Sequence, residues 1–138
     1  MTKLVSLLFC LSVSFSCFAQ QLILVCNVST IIETLGVGKN EEARKITLTI
    51  DTNSGVIDGG LASSLIKLDN FYPKATEEKY SAIGMGRYNK SLDLIVPMAS
   101  YELNRYSGIY KANINLIAYG KTQLQEETGQ CSQTERKF

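Results

Sequence analysis

Residues 45–51 read KITLTID, and every second residue in this stretch is apolar. The side chains of Ile46, Leu48 and Ile50 therefore share one face of a strand, and the polar side chains share the other. Residues 110–118, YKANINLIA, repeat the alternation. A period of two predicts antiparallel strands that place one face on a core and the other in water.

The other strand candidates are short, and turn residues separate them. They are residues 22–30, 56–58, 65–69, 80–85, 91–98, 101–104 and 129–132. Nine short strands predict an all-β domain, either an antiparallel β-sandwich or a small β-barrel, with little helix. Residues 31–43 and 70–79 are predicted as long loops, because they contain Gly36, Gly38 and Pro73.

Two positions predict irregular strands. Alternation in residues 91–98 places four side chains on the core side: Leu92, Leu94, Val96 and Met98. Pro97 predicts a sheet edge or a strand end, because proline cannot donate to the ladder. Gly84 and Gly86 predict a strand bend or a tight turn. They do not form a phosphate loop, since the third glycine and the strand-to-helix context are lacking.

A short motif occurs twice. Residues 50–57 read IDTNSGVI and residues 103–110 read LNRYSGIY. In both, an aspartate or asparagine can cap the turn backbone, and a glycine four residues later can adopt positive φ. Each copy therefore predicts a hairpin turn.

The first nineteen residues have the features of a secretory signal peptide. They read MTKLVSLLFCLSVSFSCFA, with Lys3 before a short apolar run and small residues before Ala19. The run is too short for a stable membrane span. We expect cleavage near Ala19, which leaves residues 20–138 as one β domain, secreted or periplasmic, from a bacterial cell.

The four cysteines predict one disulfide bond. Cys10 and Cys17 lie in the predicted signal peptide, so Cys26 and Cys131 remain as a pair. Their bridge would join the first strand to the last. No Cys-x-x-Cys spacing is present, and we therefore expect a structural rather than a redox-active bond.

The composition excludes several classes of function. With 14 basic and 13 acidic residues, the chain lacks the basic surface that nucleic acids or acidic membranes require. It has no histidine, which excludes Ser-His-Asp and Cys-His catalysis and histidine-bound zinc. We predict no metal site and no cofactor.

Carboxylate catalysis is the remaining enzymatic alternative. Five acidic residues lie on or beside predicted strands: Asp51, Asp58, Asp69, Asp93 and Glu102. Glycoside hydrolysis needs two carboxyl groups at a set separation, and nothing in the spacing selects a pair. We therefore predict no catalytic residue.

The candidate binding residues are Arg87 and Tyr88 in one predicted turn and Arg105 and Tyr106 in another. Arginine and tyrosine are enriched at binding hot spots. If both turns project from one end of the barrel, they form a recognition edge. The alternative is that both turns are only solvated and that their tyrosines cover nearby core.

The tyrosines are also expected in the core. Seven tyrosines could form a binding face, but three of them fall within apparent strands: Tyr80, Tyr101 and Tyr110. We expect these three to be core or core-edge residues.

The chain resembles a group of small, uncharacterised, secreted bacterial proteins with a D/N-R-x-S/T-G hairpin and a late Gly-x-Cys. The matching residues are 104–108 (NRYSG), 129–131 (GQC) and the terminal Phe138, with Cys26 soon after the signal. Asn104 stands where aspartate is common, and Asn27-Val28 stands where a glycine-containing step is frequent. The resemblance implies a compact β domain with one disulfide and implies no activity.

We expect a non-catalytic secreted or periplasmic binding module, acting as an inhibitor or accessory factor on an envelope or extracellular macromolecule. One alternative is a β-barrel carrier that encloses a small ligand. The other is a carboxylate-based hydrolase.

Overall fold

The computed structural model describes residues 20–88 and 93–133. The strands are β1 Gln21–Thr34, β2 Gly38–Asp51, β3 Ile57–Asp58, β4 Leu68–Ala75, β5 Lys79–Tyr88, β6 Leu94–Asn104, β7 Ile109–Ala118 and β8 Lys121–Gln133. A 3-10 turn, Gly60–Ala62, and a one-turn helix, α1 Ser63–Ile66, lie between β3 and β4. The predicted signal peptide and Leu92 lie outside the described residues.

All eight strands belong to one antiparallel sheet that is curled into a half-barrel. The strand order is β3-β2-β1-β8-β7-β6-β5-β4. Each pair of strands in this order is also consecutive in the chain, except β1–β8, where the first and last strands meet, and the consecutive strands β3 and β4 form the two edges. The predicted all-β class is confirmed, and the architecture is one curled sheet rather than two facing sheets.

The half-barrel is open between β3 and β4, and residues 59–67 connect these two sheet edges. We call residues 59–67 the crossover. Leu61, Ala62 and Leu65 of the crossover are buried with the inward side chains of the sheet. The concave side of the sheet is therefore covered by the chain itself.

The inward faces follow the predicted alternation. Leu48 and Ile50 are buried and Ile46 is half-buried on β2, and the inward side chains of β7 are buried or half-buried in the same way. Three tyrosines are buried, as expected: Tyr80, Tyr101 and Tyr110. Period-two alternation thus identified the core side of these strands.

Both predicted long loops are wrong. Residues 31–43 continue β1, turn at residues 35–37 and begin β2, while residues 70–79 contain most of β4 and the start of β5. Pro73 is tolerated because β4 is an edge strand, where a missing N–H need not break a ladder. Residues 65–69, predicted as a strand, span the end of α1 and the start of β4.

Pro97 does not mark a sheet edge, because β6 lies between β5 and β7. It lies at a β-bulge, where the register shifts between Ile95 and Met98. The extra residue reverses the alternation, so Met98 is 55% exposed and its predicted inward orientation is wrong. The β5–β6 register shifts at the same level, between Gly84 and Gly86, the two glycines at which the sequence predicted a bend or a tight turn.

The disulfide is confirmed between Cys26 on β1 and Cys131 on β8, with an S–S distance of 2.01 Å. The two residues are directly opposite in the β1–β8 register and are buried on the core side. The bond therefore joins β1 and β8, the strand pair whose members lie far apart in the chain.

Across residues 20–88 and 93–133, no helix has the length and apolar character that a membrane crossing requires. Within the same two ranges, no group of three or more cysteine, aspartate or glutamate side chains is placed to hold a metal ion.

Candidate functional site

A groove of about 370 Å³ opens at the end of the half-barrel where β1 begins and β8 ends. Its floor is apolar and consists of Leu22, Leu24, Tyr80 and Leu103. Residues 104–108 form one wall and residues 131–133 form the other. We call this feature the end groove.

The wall at residues 104–108 is the turn of the β6–β7 hairpin, and its own side chains fix its shape. Asn104 Oδ1 accepts hydrogen bonds from the backbone N–H groups of Tyr106 and Ser107, each at 2.9 Å. Ser107 Oγ accepts from Ile109 N at 3.3 Å. Gly108 N donates to Asn104 O at 3.0 Å with Gly108 at a φ of 71°. The predicted hairpin is confirmed.

The repeat of this motif forms the same turn between β2 and β3. Asp51 Oδ1 accepts from Asn53 N at 2.9 Å and from Ser54 N at 3.1 Å, and Gly55 N donates to Asp51 O at 2.8 Å. The hydrogen bonds from the Ser54 and Asn53 amides hold the pKa of the Asp51 carboxyl below its usual value. The second predicted hairpin is therefore also confirmed.

The β6–β7 turn is attached to β8 beside the disulfide. Cys131 N donates to Gly108 O at 2.9 Å, and the Gln130 side-chain amide donates to Ser107 O. Because Cys131 also lines the end groove, the disulfide holds one wall of the groove in place.

Of the described residues that line the end groove, Arg105 is the one that carries a charge. Its guanidinium carbon lies 4.8 Å from the centre of the Tyr80 ring, and its Nη1 donates to Thr76 O at 2.7 Å. Its backbone N–H donates to Glu78 O at 2.8 Å. Stacking and hydrogen bonding thus hold the side chain in one place and leave other guanidinium N–H groups for a ligand. Tyr106 beside it is 80% exposed.

Arg87 and Tyr88 are not in a turn, so that prediction is wrong. Both are residues of β5, and Arg87 Nε donates to Asp69 Oδ2 at 2.8 Å. In the β5–β6 register, Lys79 is opposite Asn104 and Arg87 is opposite Ile95. Arg87 and Arg105 therefore lie at opposite ends of the hairpin, about 26 Å apart at 3.3 Å per residue. The two predicted pairs cannot form one recognition edge.

A fully buried carboxylate is present that the sequence analysis missed. Glu127 on β8 has no exposed surface and accepts four hydrogen bonds. Its Oε1 accepts from Leu61 N at 2.9 Å and from the Tyr110 hydroxyl at 3.0 Å. Its Oε2 accepts from Thr30 Oγ1 at 3.0 Å and from Arg44 Nη2 at 2.8 Å. The sequence did contain a signal for this position. Side chains alternate along a strand, so Glu127, four residues before the inward Cys131, points to the same face of β8.

The Glu127 cluster is structural rather than catalytic. Both carboxylate oxygens already accept two donors, and the side chain does not reach solvent. Gly60 is necessary beside it, because a Cβ there would lie 2.4 Å from Glu127 Oε1, and Gly60 has a φ of 52°. The carboxylate therefore anchors the crossover to the sheet.

Two buried tyrosine hydroxyls provide further anchors. Tyr101 donates to Gly55 O at 2.7 Å and accepts from Ile57 N at 3.1 Å, and burial raises its pKa to about 12. Tyr110 accepts from Ala62 N at 3.3 Å, and burial together with the adjacent Glu127 carboxylate raises its pKa strongly. Both hydroxyls therefore remain protonated. Tyr101 holds the β2–β3 turn and the start of β3, and Tyr110 holds the crossover.

The five acidic residues considered for catalysis are distributed over the molecule. Asp51 caps a turn and Asp69 forms an ion pair with Arg87. Glu102 Oε2 lies 3.5 Å from Lys79 Nζ. Asp58 and Asp93 are exposed. The structure brings none of these carboxylates into the end groove.

Comparison with known proteins identified no relative. The chain matches no protein-family model, no curated protein and no solved structure.

Proposed function

We propose that this chain is a non-catalytic binding module that is secreted or periplasmic and acts on another macromolecule of the bacterial envelope as an inhibitor or accessory factor. The end groove is the proposed site, and its ligand is an anionic group next to an apolar one. The observation that carries the proposal is the position of Arg105, the one charged side chain that the described residues place beside the apolar floor. The predicted signal peptide supports the location, and so does the disulfide, which is typical of oxidising compartments.

Chemical complementarity supports an anionic ligand. A guanidinium group presents parallel N–H donors that match a carboxylate or a phosphate. Arg105 is already ordered by the Tyr80 ring and Thr76 O. Binding therefore costs less side-chain entropy than it would for a free arginine. Tyr106 can cover the ligand, since it is exposed at the rim and tyrosine is common at binding hot spots.

Site-specific photocrosslinking in the native envelope tests this proposal. A photoreactive phenylalanine derivative replaces Tyr106 at the end groove or, as a control, the equally exposed Tyr119 at the far end of β7. We expect a discrete adduct from position 106, none from position 119, and loss of the adduct when Arg105→Ala is added. An adduct that forms equally at both positions, or that persists with Arg105→Ala, would contradict the site.

A small-ligand carrier is the second candidate, because about 370 Å³ lies within the range of small-molecule sites. A ligand would lie in the open end groove, since Leu61, Ala62 and Leu65 occupy the concave side of the sheet. Native mass spectrometry of the protein isolated from its own envelope distinguishes the two. A bound small mass that Arg105→Ala removes favours the carrier, while a bare chain favours the macromolecular partner.

A further inference from the structure

Among the described residues, most of the outer edge of β2 is not paired with another strand. On one side β1 pairs with β2 from Gly38 to Asp51, whereas on the other side β3 pairs only with Thr49 and Ile50. Within the described part of the chain, no strand pairs with residues 38–48 on that side. Residues 38–45 are all exposed. An unpaired strand edge of this kind is a template for a strand from another chain.

The direction of the free backbone groups follows from the β2–β3 contact. Asp51 N donates to Val56 O, so the backbone groups of Asp51 point to the β3 side. In an antiparallel strand, alternate residues direct both their N–H and C=O to the same neighbour. The β1–β2 register has no bulge, so the alternation continues unbroken along β2. The residues that direct their backbone N–H and C=O groups away from β1 are therefore Lys39, Glu41, Ala43 and Lys45.

The charges along this edge are self-complementary. Residues 41–45 read Glu-Glu-Ala-Arg-Lys. When a second copy pairs antiparallel with Ala43 opposite Ala43, Glu41 is opposite Lys45 of the second copy and Glu42 is opposite Arg44. Directly opposed unlike charges stabilise a strand pair, and like charges destabilise it. If the two-fold axis lies at Glu42 instead, Glu42 is opposite Glu42 of the second copy. If it lies at Arg44, Arg44 is opposite Arg44, so both registers oppose like charges.

We propose that two copies of this chain associate through the free edge of β2, in the register with Ala43 at the two-fold axis. Glu41, Ala43 and Lys45 of each copy then form hydrogen-bonded pairs across the axis. Arg44 can take part while it keeps Glu127, because one guanidinium nitrogen binds Glu127 and the side chain is still 45% exposed. The short contact predicts a weak association that depends on concentration and salt.

Charge exchange between Glu41 and Lys45 tests the register. Glu41→Lys places two pairs of lysines opposite each other across the axis, and Lys45→Glu places two pairs of glutamates there. Each single variant should weaken the dimer at least about tenfold. The double variant Glu41→Lys/Lys45→Glu restores both attractive pairs, and so does an equimolar mixture of the two single variants. Sedimentation velocity of the oxidised protein at low and high salt measures each case.

The controls separate the interface from folding. Lys121→Glu changes the same charge in an exposed position at the start of β8 and should leave the dimer unchanged. Ala43→Pro removes a backbone N–H that points away from β1 and takes no part in the β1–β2 hydrogen bonds. It should therefore abolish the dimer without altering thermal unfolding. A wild-type protein that stays monomeric up to about millimolar concentration overturns the proposal. So does a dimer that both single variants leave intact, because its contact then lies elsewhere.

Discussion

The Tyr110 hydroxyl donates a hydrogen bond of 3.0 Å to Glu127 Oε1 across the neighbouring strands β7 and β8, and neither residue has exposed surface. The same two groups also bind the crossover, since Glu127 accepts from Leu61 N and Tyr110 accepts from Ala62 N. A polar contact inside the sheet therefore holds the segment that covers its concave side.

Replacing Glu127 should be one of the most damaging single changes in the protein. Glu127→Ala leaves the Arg44 guanidinium and three further donors without their acceptor, and we expect a loss of about 3–5 kcal/mol in the free energy of unfolding. Glu127→Gln should fall between this variant and the wild type, because one carboxylate oxygen is replaced by a donor.

Urea denaturation measures the effect of the Glu127 variants. Glu126→Gln is the matched control, because it is the neighbouring residue on β8 and is exposed. A Glu127→Ala protein as stable as Glu126→Gln would mean that the cluster contributes nothing to stability.

The stability of the protein should decrease as the pH rises from about 10 to 12. The pKa of Tyr101 is raised to about 12 in the folded state by burial, whereas an unfolded tyrosine ionises near 10. The unfolded state therefore loses its proton first, and the stabilisation that is complete below pH 10 is lost as the pH approaches the folded pKa. Tyr110 acts in the same direction.

Tyr101→Phe provides the comparison for this pH dependence. The variant loses the hydrogen bond to Gly55 O and leaves Ile57 N without its acceptor, at a cost of about 1–3 kcal/mol near neutral pH. Its stability should decrease less between pH 10 and 12 than that of the wild type. Denaturation experiments at each pH measure the free energy of unfolding of both proteins. If it decreases equally steeply with pH in the two, Tyr101 is not a source of the pH dependence.

Gly108→Ala and Gly120→Ala should differ although both glycines have the same backbone conformation. Their φ values are 71° and 72°, so alanine strains both turns equally, by about 1–2 kcal/mol. A Cβ at Gly108 would lie 2.6 Å from the backbone oxygen of Cys131. A Cβ at Gly120 would have no atom of the described residues within 4 Å apart from its chain neighbours.

We therefore expect Gly108→Ala to lower the melting temperature clearly more than Gly120→Ala does, because only the former displaces β8. Thermal unfolding followed by circular dichroism measures both variants. Equal losses would show that the β6–β7 turn moves away from β8 without cost.

Reducing the disulfide should destabilise the junction between β1 and β8. The cysteines are 105 residues apart, and closing a loop of that size contributes roughly 4–5 kcal/mol in the chain-entropy model. Hydrogen exchange of the reduced protein should show β1 and β8 amides losing protection first. The double variant Cys26→Ala/Cys131→Ala should be insensitive to reductant, and a shift in its stability on adding reductant would assign the effect to another cause.

Local rules explain the parts of this fold that were predictable from the chain. Alternation identified the inward faces around Ile50 and Tyr110, because side chains on a strand point to opposite sides whatever the neighbouring strand is. The turns at Asp51 and Asn104 were predictable because each is stabilised by its own side chains and a nearby glycine. The disulfide was predictable because two of the four cysteines lie in the predicted signal peptide and the other two form one pair.

The remaining features depend on strand order, which local patterns do not contain. Arg87 and Arg105 are at opposite ends because β5 and β6 are antiparallel neighbours, and Met98 is exposed because a bulge shifts the register of β6. The end groove exists because β1 and β8 meet beside the β6–β7 turn. The amino-acid sequence by itself therefore determined the all-β fold class, the two hairpin turns and the pairing of Cys26 with Cys131. Only the tertiary structure decided the open sheet, the buried Glu127 and the position of Arg105, because each requires contacts between residues far apart in the chain.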